Sequence, residues 1–144
     1  MTMALRRFLV MPWPEQRRTL EAAMCLLVVR LALALLPLPQ ALRLFGAVQR
    51  EAGAGRQAAH QAEDVGRAIA RAARHVPFRA VCLQQAFAAL LMLRRRGLTA
   101  TVHLGLAREG ARDLKAHAWS RSGEVPVTGD AHAGDFVPVV AFSA

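Results

Sequence analysis

The chain has 144 residues, 54% of them hydrophobic, and a formal net charge of +9 at pH 7. This length fits one domain with one core, and the composition excludes an intrinsically disordered chain. The excess of positive charge serves either solubility alone or an acidic partner such as a peptide, another protein or a membrane surface. Nucleic acid is the least favoured partner, because the sequence has no recognition-helix, aromatic-platform or zinc pattern.

A long helix is predicted over residues 15–36. Pro14 suits the first turn of a helix, and Pro37 ends it. Its most apolar part, residues 22–36, is shorter than the about 20 residues that a membrane span needs, and Arg30 interrupts it. We therefore expect a helix that is buried or covered by a partner, with peripheral membrane contact as the alternative.

Three further helices are predicted at residues 41–49, 57–75 and 82–96, with a linker at residues 51–55. Apolar residues recur at helical spacing in the two longer segments, so each should lay one face on the core. Gly97 is a good residue to end the last of these helices.

After Gly97, apolar and polar residues alternate, which indicates β-strands. Strands are predicted at residues 100–106, 114–121, 124–128 and 136–142, with turns at residues 107–113 and 122–123. Pro126 places the third strand at a sheet edge or at a bulge. Helices followed by an antiparallel sheet predict an α+β fold class.

We expect a single domain over residues 1–144. It divides into a helical, basic N-terminal docking region at residues 1–56 and a core at residues 57–144.

Cys82 is the strongest candidate for a catalytic residue. It opens the predicted helix at residues 82–96, where the positive end of the helix dipole favours thiolate over thiol. A nucleophilic thiol needs a base, and His117 in the second strand is the candidate. Cys25 lies in an apolar run and is predicted to be a small buried hydrophobe. Two cysteines make neither a disulfide framework nor a metal-ligand pattern, which favours reduced thiols in the cytoplasm.

The acid that orients His117 should come from a neighbouring strand, on the same face of the sheet. A two-residue loop at residues 122–123 places Asp130 diagonally from His117, and a four-residue loop at residues 122–125 places it directly opposite. Asp130 is therefore the preferred third residue, and Asp135 is the weaker candidate.

The remaining histidines are less persuasive. His60 and His75 lie among charged residues on helices and should be solvated. His103 is on the less apolar face of the first strand and should be a core histidine, with a position near the site as the alternative. A metal site built around His117 and His132 is disfavoured, because one short segment seldom completes a zinc sphere. We expect no metal and no cofactor.

Several short blocks occur in a distinctive order. They are RAVCL at 79–83, LMLRRRGLTA at 91–100, VHLGL at 102–106, AHAW at 116–119, and GD at 129–130 followed by FVPVVAF at 136–142. Together they resemble the transglutaminase-like cysteine proteases of lasso-peptide biosynthesis. The resemblance implies a transglutaminase/papain-like core in which the Cys-bearing helix packs on an antiparallel sheet.

The resemblance also implies an activity and the roles of individual residues. The enzyme would cleave the leader peptide from a ribosomally made precursor through a thioester. Cys82 would be the nucleophile, His117 the general base and then acid, and Asp130 the orienting residue. The backbone N–H of Cys82 would bind the oxyanion, and Gln84 or Gln85 is a candidate side-chain donor unless it is a helix-surface residue.

The partners implied are the leader region of the precursor and a separate leader-recognition protein, as in the stand-alone form of these proteases. Residues 22–36 are the candidate docking surface for that protein or for the lasso cyclase. Two alternatives remain open. One is a non-catalytic scaffold or binding protein on the same fold, and the other is an acyl transferase that passes the thioester to an amine.

Overall fold

A computed structural model describes residues 3–37, 40–41, 56–109, 113–129 and 136–143 of the chain. Within these ranges, α-helices precede an antiparallel sheet, which confirms the predicted α+β fold class. The helices are α1 (Met3–Val10), α2 (Trp13–Leu35), α3 (Arg56–His75) and α4 (Cys82–Arg95). The strands are β1 (Thr101–Glu109), β2 (Asp113–Ser122), β3 (Val125–Thr128) and β4 (Val137–Ser143). The predicted linker at 51–55 and nearly all of the predicted helix at 41–49 lie outside the described residues.

Helix α4 is the central element of the core. Its helical apolar pattern buries residues on nearly every side, because α2 and α3 cover it on one side and the sheet on the other. Phe87, Leu90, Met92 and Leu93 have no exposed surface, and burying each side chain of this size contributes about 1.5–3 kcal/mol. This burial fixes where the first turn of α4 lies relative to β2.

The last turn of α4 closes as the sequence predicts. The Leu98 N–H donates to the carbonyl oxygen of Leu93 at 3.0 Å, and this hydrogen bond spans Gly97. Arg96 donates to the carbonyl oxygen of Met92 at 3.0 Å, which places a cation on the negative end of the helix. Arg96, the last of three consecutive arginines at residues 94–96, therefore stabilises the end of the helix.

Helix α2 turns one face to the core and the other to solvent. Its buried residues recur at helical spacing and include Ala22, Cys25, Leu26 and Val29. No helix in the described ranges combines the length and the apolarity needed to cross a membrane.

Polar contacts show that α2 runs antiparallel to α4. Near the start of α2, Glu21 pairs with Arg95 at 3.0 Å and with Arg96 at 2.7 Å, at the end of α4. Nearer the end of α2, the guanidinium of Arg30 lies 4.8 Å from the ring centre of Phe78, in the loop that leads into α4.

The strands form one sheet in the order β3-β2-β1-β4. The predicted turn at 107–113 is too long, because β1 and β2 remain paired as far as Glu109 and Asp113. The predicted position of the β2–β3 loop is also wrong. Ser122 pairs with Val125, so the turn comprises the two residues between them.

Pro126 lies in β3, which is an edge strand and has a bulge directly after this proline, so both structural expectations for it are confirmed.

Candidate active site

Cys82 is the first residue of α4, where the chain changes from extended to helical. Val81 precedes it with φ −75° and ψ 166° and has no side-chain cap. The Gln85 side chain donates to the carbonyl oxygen of Ala80 at 2.8 Å, and the Gln85 backbone N–H donates to the carbonyl oxygen of Val81 at 3.0 Å. These bonds hold the entry to the helix. Backbone N–H groups of this first turn have no partner within the helix, and they are the groups suited to an oxyanion.

The two cysteines have different surroundings. Cys25 is 9% exposed in the helical core, and this burial raises the pKa of its thiol above the ordinary value. Cys82 is half-buried against the edge of the core, and both cysteines are free thiols. The prediction that Cys25 is a buried hydrophobe is confirmed.

His117 lies in the middle of β2 with its ring held by the backbone. Its Nε2 atom is 2.9 Å from the carbonyl oxygen of Gly129, which follows β3. A carbonyl oxygen only accepts, so this bond requires a proton on Nε2 and leaves Nδ1 as the basic nitrogen of a neutral ring. This tautomer suits a general base that acts through Nδ1.

Aromatic rings fix the plane of His117. Its ring stacks on Trp119, with ring centres 5.9 Å apart, and lies 5.0 Å from the ring of Phe136. The other histidine on this face, His103, stacks on Trp119 with ring centres 5.4 Å apart. His117 and Trp119 therefore share one face of β2.

Gly105 makes this stack possible. It pairs with His117 across β1 and β2, and a Cβ atom at this position would lie 2.8 Å from the Trp119 ring and 2.9 Å from Phe136 Cβ. Any side chain at residue 105 would displace the indole ring. This contact could have been predicted from the sequence, because a glycine inside a strand often marks a site where another group approaches the backbone closely.

The strand that carries His117 separates two environments. Ala118 joins the core that the helices form, so alternation places His117 and Trp119 on the other face of β2. Cys82 contacts the core cluster, and within the described residues its sulfur makes no hydrogen bond to His117. Among the described residues, the structure therefore does not bring the proposed nucleophile and base together.

The register argument for the third residue does not hold. A bulge in β3, between Pro126 and Thr128, places Ser120 opposite Thr128, and their hydroxyl oxygens are 2.6 Å apart. The extra residue changes which side chains share a face, as a slip of one residue does in any strand pair. Asp130 and Asp135 lie outside the described residues, so both stay candidates, without support from register.

Gln84 and Gln85 differ in their surroundings. Gln85 is engaged with the loop before α4. Gln84 is only 9% exposed, and its Oε1 atom is buried without a hydrogen-bond partner. Gln84 is therefore not a helix-surface residue.

The expectation of a core histidine is wrong for His103, which is half-buried and stacks on Trp119 on the same face as His117. His60 and His75 are exposed on α3, and His132 lies outside the described residues. No group of three or more metal-ligating side chains occurs in the described ranges.

Comparison with known proteins identifies one family. A sequence model described as the transglutaminase-like superfamily matches residues 25–141, well over half of the chain. The match begins inside α2 and includes Cys82, His117 and Asp130. No curated protein and no solved structure gave a significant match.

Proposed function

We infer the function of this chain from the family to which it belongs, the transglutaminase-like superfamily, which includes cysteine proteases. We propose a cysteine peptidase that removes the leader peptide from a ribosomally made lasso-peptide precursor. The observation that carries the proposal is the family match over residues 25–141, which includes Cys82 in the first turn of the buried helix α4 and His117 in β2. Recognition of the leader by a separate protein is part of the proposal.

The reaction starts when His117 takes the proton of the Cys82 thiol and the sulfur attacks the carbonyl carbon at the leader–core junction. The oxyanion that forms accepts a hydrogen bond from the Cys82 backbone N–H, a donor at the positive end of α4. The tetrahedral intermediate expels the amine of the core peptide, which takes a proton from His117. The leader is then joined to Cys82 as a thioester.

Water completes the cycle. His117 removes a proton from water as it attacks the thioester carbonyl, and the leader leaves with a new carboxylate while Cys82 recovers its thiol. The Gly129 carbonyl oxygen accepts the Nε2 proton in both protonation states of the ring, so it holds the ring in place through each half-reaction. Asp130, the next residue in the chain, is proposed as the carboxylate that shares the Nε2 proton with this carbonyl and so completes the triad.

A cytoplasmic location is part of the proposal. Both cysteines are free, which supports maturation of the precursor in the cytoplasm, where thiols stay reduced.

A matched pair of variants tests the function. Precursor and recognition protein are incubated with wild-type chain, Cys82→Ala or Cys25→Ala, and the products are weighed by mass spectrometry. The proposal predicts free leader with the wild type and with Cys25→Ala, and uncut precursor with Cys82→Ala. Cleavage by a folded Cys82→Ala at the wild-type rate would refute it.

One observation favours a scaffold as the second candidate. Cys82 contacts the helical core, whereas His117 lies on the other face of β2. If the chain acts only by binding, Cys82→Ala supports maturation as well as the wild type when an independent peptidase is present.

A further inference from the structure

The outer face of α2 carries a row of exposed apolar side chains. They recur at helical spacing and are Leu20, Met24, Leu27, Val28, Leu31 and Leu35. From Leu20 to Leu31 the row extends for about 16 Å at the rise of an α-helix. The opposite face of α2 is already buried, so this row, which we call the α2 row, is available to a partner.

A basic cavity adjoins one end of the α2 row. Its volume is about 470 Å³, and it lies between the start of α2 and the end of α4. The lining side chains are Pro14, Arg17, Arg18, Leu20, Glu21, Arg95 and Arg96. Leu20 belongs to both the cavity and the α2 row, so the two surfaces are continuous.

The cavity has an unbalanced positive charge. Glu21 is its one acidic lining residue and is shared by Arg95 and Arg96, while Arg18 pairs with Asp64 at 3.4 Å. Arg17 is exposed and makes no ion pair with any described residue. A carboxylate that entered the cavity would therefore pair with Arg17 without displacing an existing ion-pair partner.

The α2 row also has a direction. Its cavity end lies beside the end of α4, whereas Arg30 contacts Phe78 in the loop that leads to Cys82. A segment bound along the row with an acidic end in the cavity would therefore extend toward the catalytic end of α4.

We propose that the α2 row and the basic cavity form one docking site for a protein partner. The partner contributes a helical segment that is apolar along one face and carries carboxylates at one end. The carboxylates bind among the arginines of the cavity, and the apolar face covers the α2 row. This site deepens the proposed function, on which it rests, because it gives the substrate-delivering partner a binding site aligned with Cys82.

A second copy of this chain fits the site poorly. The sequence has no acidic residue between Ala22 and Arg50. In an antiparallel pairing of two α2 helices, the cavity would face the region near Arg30 of the other copy, and in a parallel pairing it would face another Arg17. Both arrangements place like charges together, which disfavours them.

A membrane surface fits less well than a protein segment. An anionic bilayer would cover exposed apolar and basic groups, but it presents a plane of head groups. The charges here line a concave cavity, with Glu21 held among them by two arginines, which suits a single inserted side chain.

Binding to a designed probe tests the site without the natural partner. The probe is a fluorescent synthetic helix of about five turns, with leucines at every third and fourth position and three glutamates at one end. Affinity is measured by fluorescence anisotropy with Cys82→Ala protein, so that catalysis plays no part. Arg17→Glu and Met24→Lys should each weaken binding about tenfold or more, the scale of a residue that matters at an interface. The matched controls Arg56→Glu and Leu114→Lys, both exposed elsewhere, should bind as the parent does.

A charge exchange sharpens the test. A second probe with lysines in place of the glutamates should bind the parent poorly and Arg17→Glu better than the first probe does. Equal affinity of all variants for both probes would overturn the site. So would a tenfold preference for phosphatidylglycerol vesicles over the probe, or a dimer that Met24→Lys dissociates. If the probe binds normally but the precursor is not cleaved, the proposed function is wrong and the docking site stands. If the precursor is cleaved normally but the probe does not bind, the docking site is wrong and the proposed function stands.

Discussion

Gly129 accepts a hydrogen bond from His117 through its backbone carbonyl oxygen, 2.9 Å from Nε2. The contact depends on a backbone turn, since Gly129 has φ +67°, a conformation that side chains rarely allow. A turn directly after β3 therefore sets both the tautomer and the position of the proposed base.

Substitution of this glycine should damage activity more than stability. In Gly129→Ala the new Cβ would lie 2.8 Å from the Ala118 oxygen and 3.0 Å from His117 Nε2, so the turn must move. We expect kcat to fall at least about tenfold and stability by about 1–2 kcal/mol. Gly123→Ala is the matched control, because φ there is +57° but no atom lies within 4 Å of the added methyl group. Thermal unfolding should show similar stability losses for the two variants, whereas peptidase kinetics should show a much lower kcat for Gly129→Ala. Equal kcat values for the two variants would contradict this role of Gly129.

Gly105→Ala should disturb the ring stack. Its Cβ would overlap the Trp119 ring, which must tilt away from His117. We expect lower kcat and a change in the near-ultraviolet circular dichroism of the indole. Adding Trp119→Phe should restore part of the activity, because the smaller ring leaves space for the methyl group. No change in either signal would mean that the indole does not position His117.

The two thiols should differ in reactivity. Cys25 is buried in the core with a raised pKa, whereas Cys82 is half-buried at a helix start. A small alkylating reagent should label Cys82 at least about tenfold faster than Cys25 in folded protein, and both at similar rates in denaturant. Peptide mass mapping measures the two rates. Preferential labelling of Cys25 would contradict the described burial.

The Glu21 cluster should make stability depend on pH. The hydrogen bond from Arg96 is the main cause that holds the pKa of Glu21 below its usual value of 4.5. A depressed pKa stabilises the fold fully above the unfolded value, and the effect is lost as pH falls through the folded pKa. Glu21→Gln should therefore cost about 1–3 kcal/mol near pH 7, and the difference from wild type should shrink below pH 4.5. Chemical denaturation at several pH values measures this, with the exposed Glu124→Gln as control, and a difference that grows in acid would contradict the ion-pair account.

The sequence predicted the helices around Cys82 and the strand of His117, because helical and alternating periodicities are local signals. Val65 and Ile69 repeat at helical spacing and are buried on α3 as expected. The register between β2 and β3 was not predictable, because a bulge depends on how Ser120 and Thr128 pack across the sheet. The contact between His117 and Gly129 was missed for the same reason, since a backbone acceptor has no signature in residue type.

The outward face of α2 shows a second limit. Its apolar residues predicted a buried or covered helix, but periodicity alone does not distinguish a face that packs within the chain from one that binds a partner. Leu26 and Val29 are fully buried, while Met24 and Leu31, on the same helix, are exposed.

The central claim is that Cys82 forms a thioester with the leader. The most direct test quenches a reaction of chain, precursor and recognition protein with acid and measures the intact mass of the chain. The proposed mechanism predicts a transient species equal to the chain plus the leader minus water, with the adduct mapped to Cys82 and absent from Cys82→Ala. Cleavage of the precursor by Cys82→Ala at the wild-type rate would contradict the mechanism.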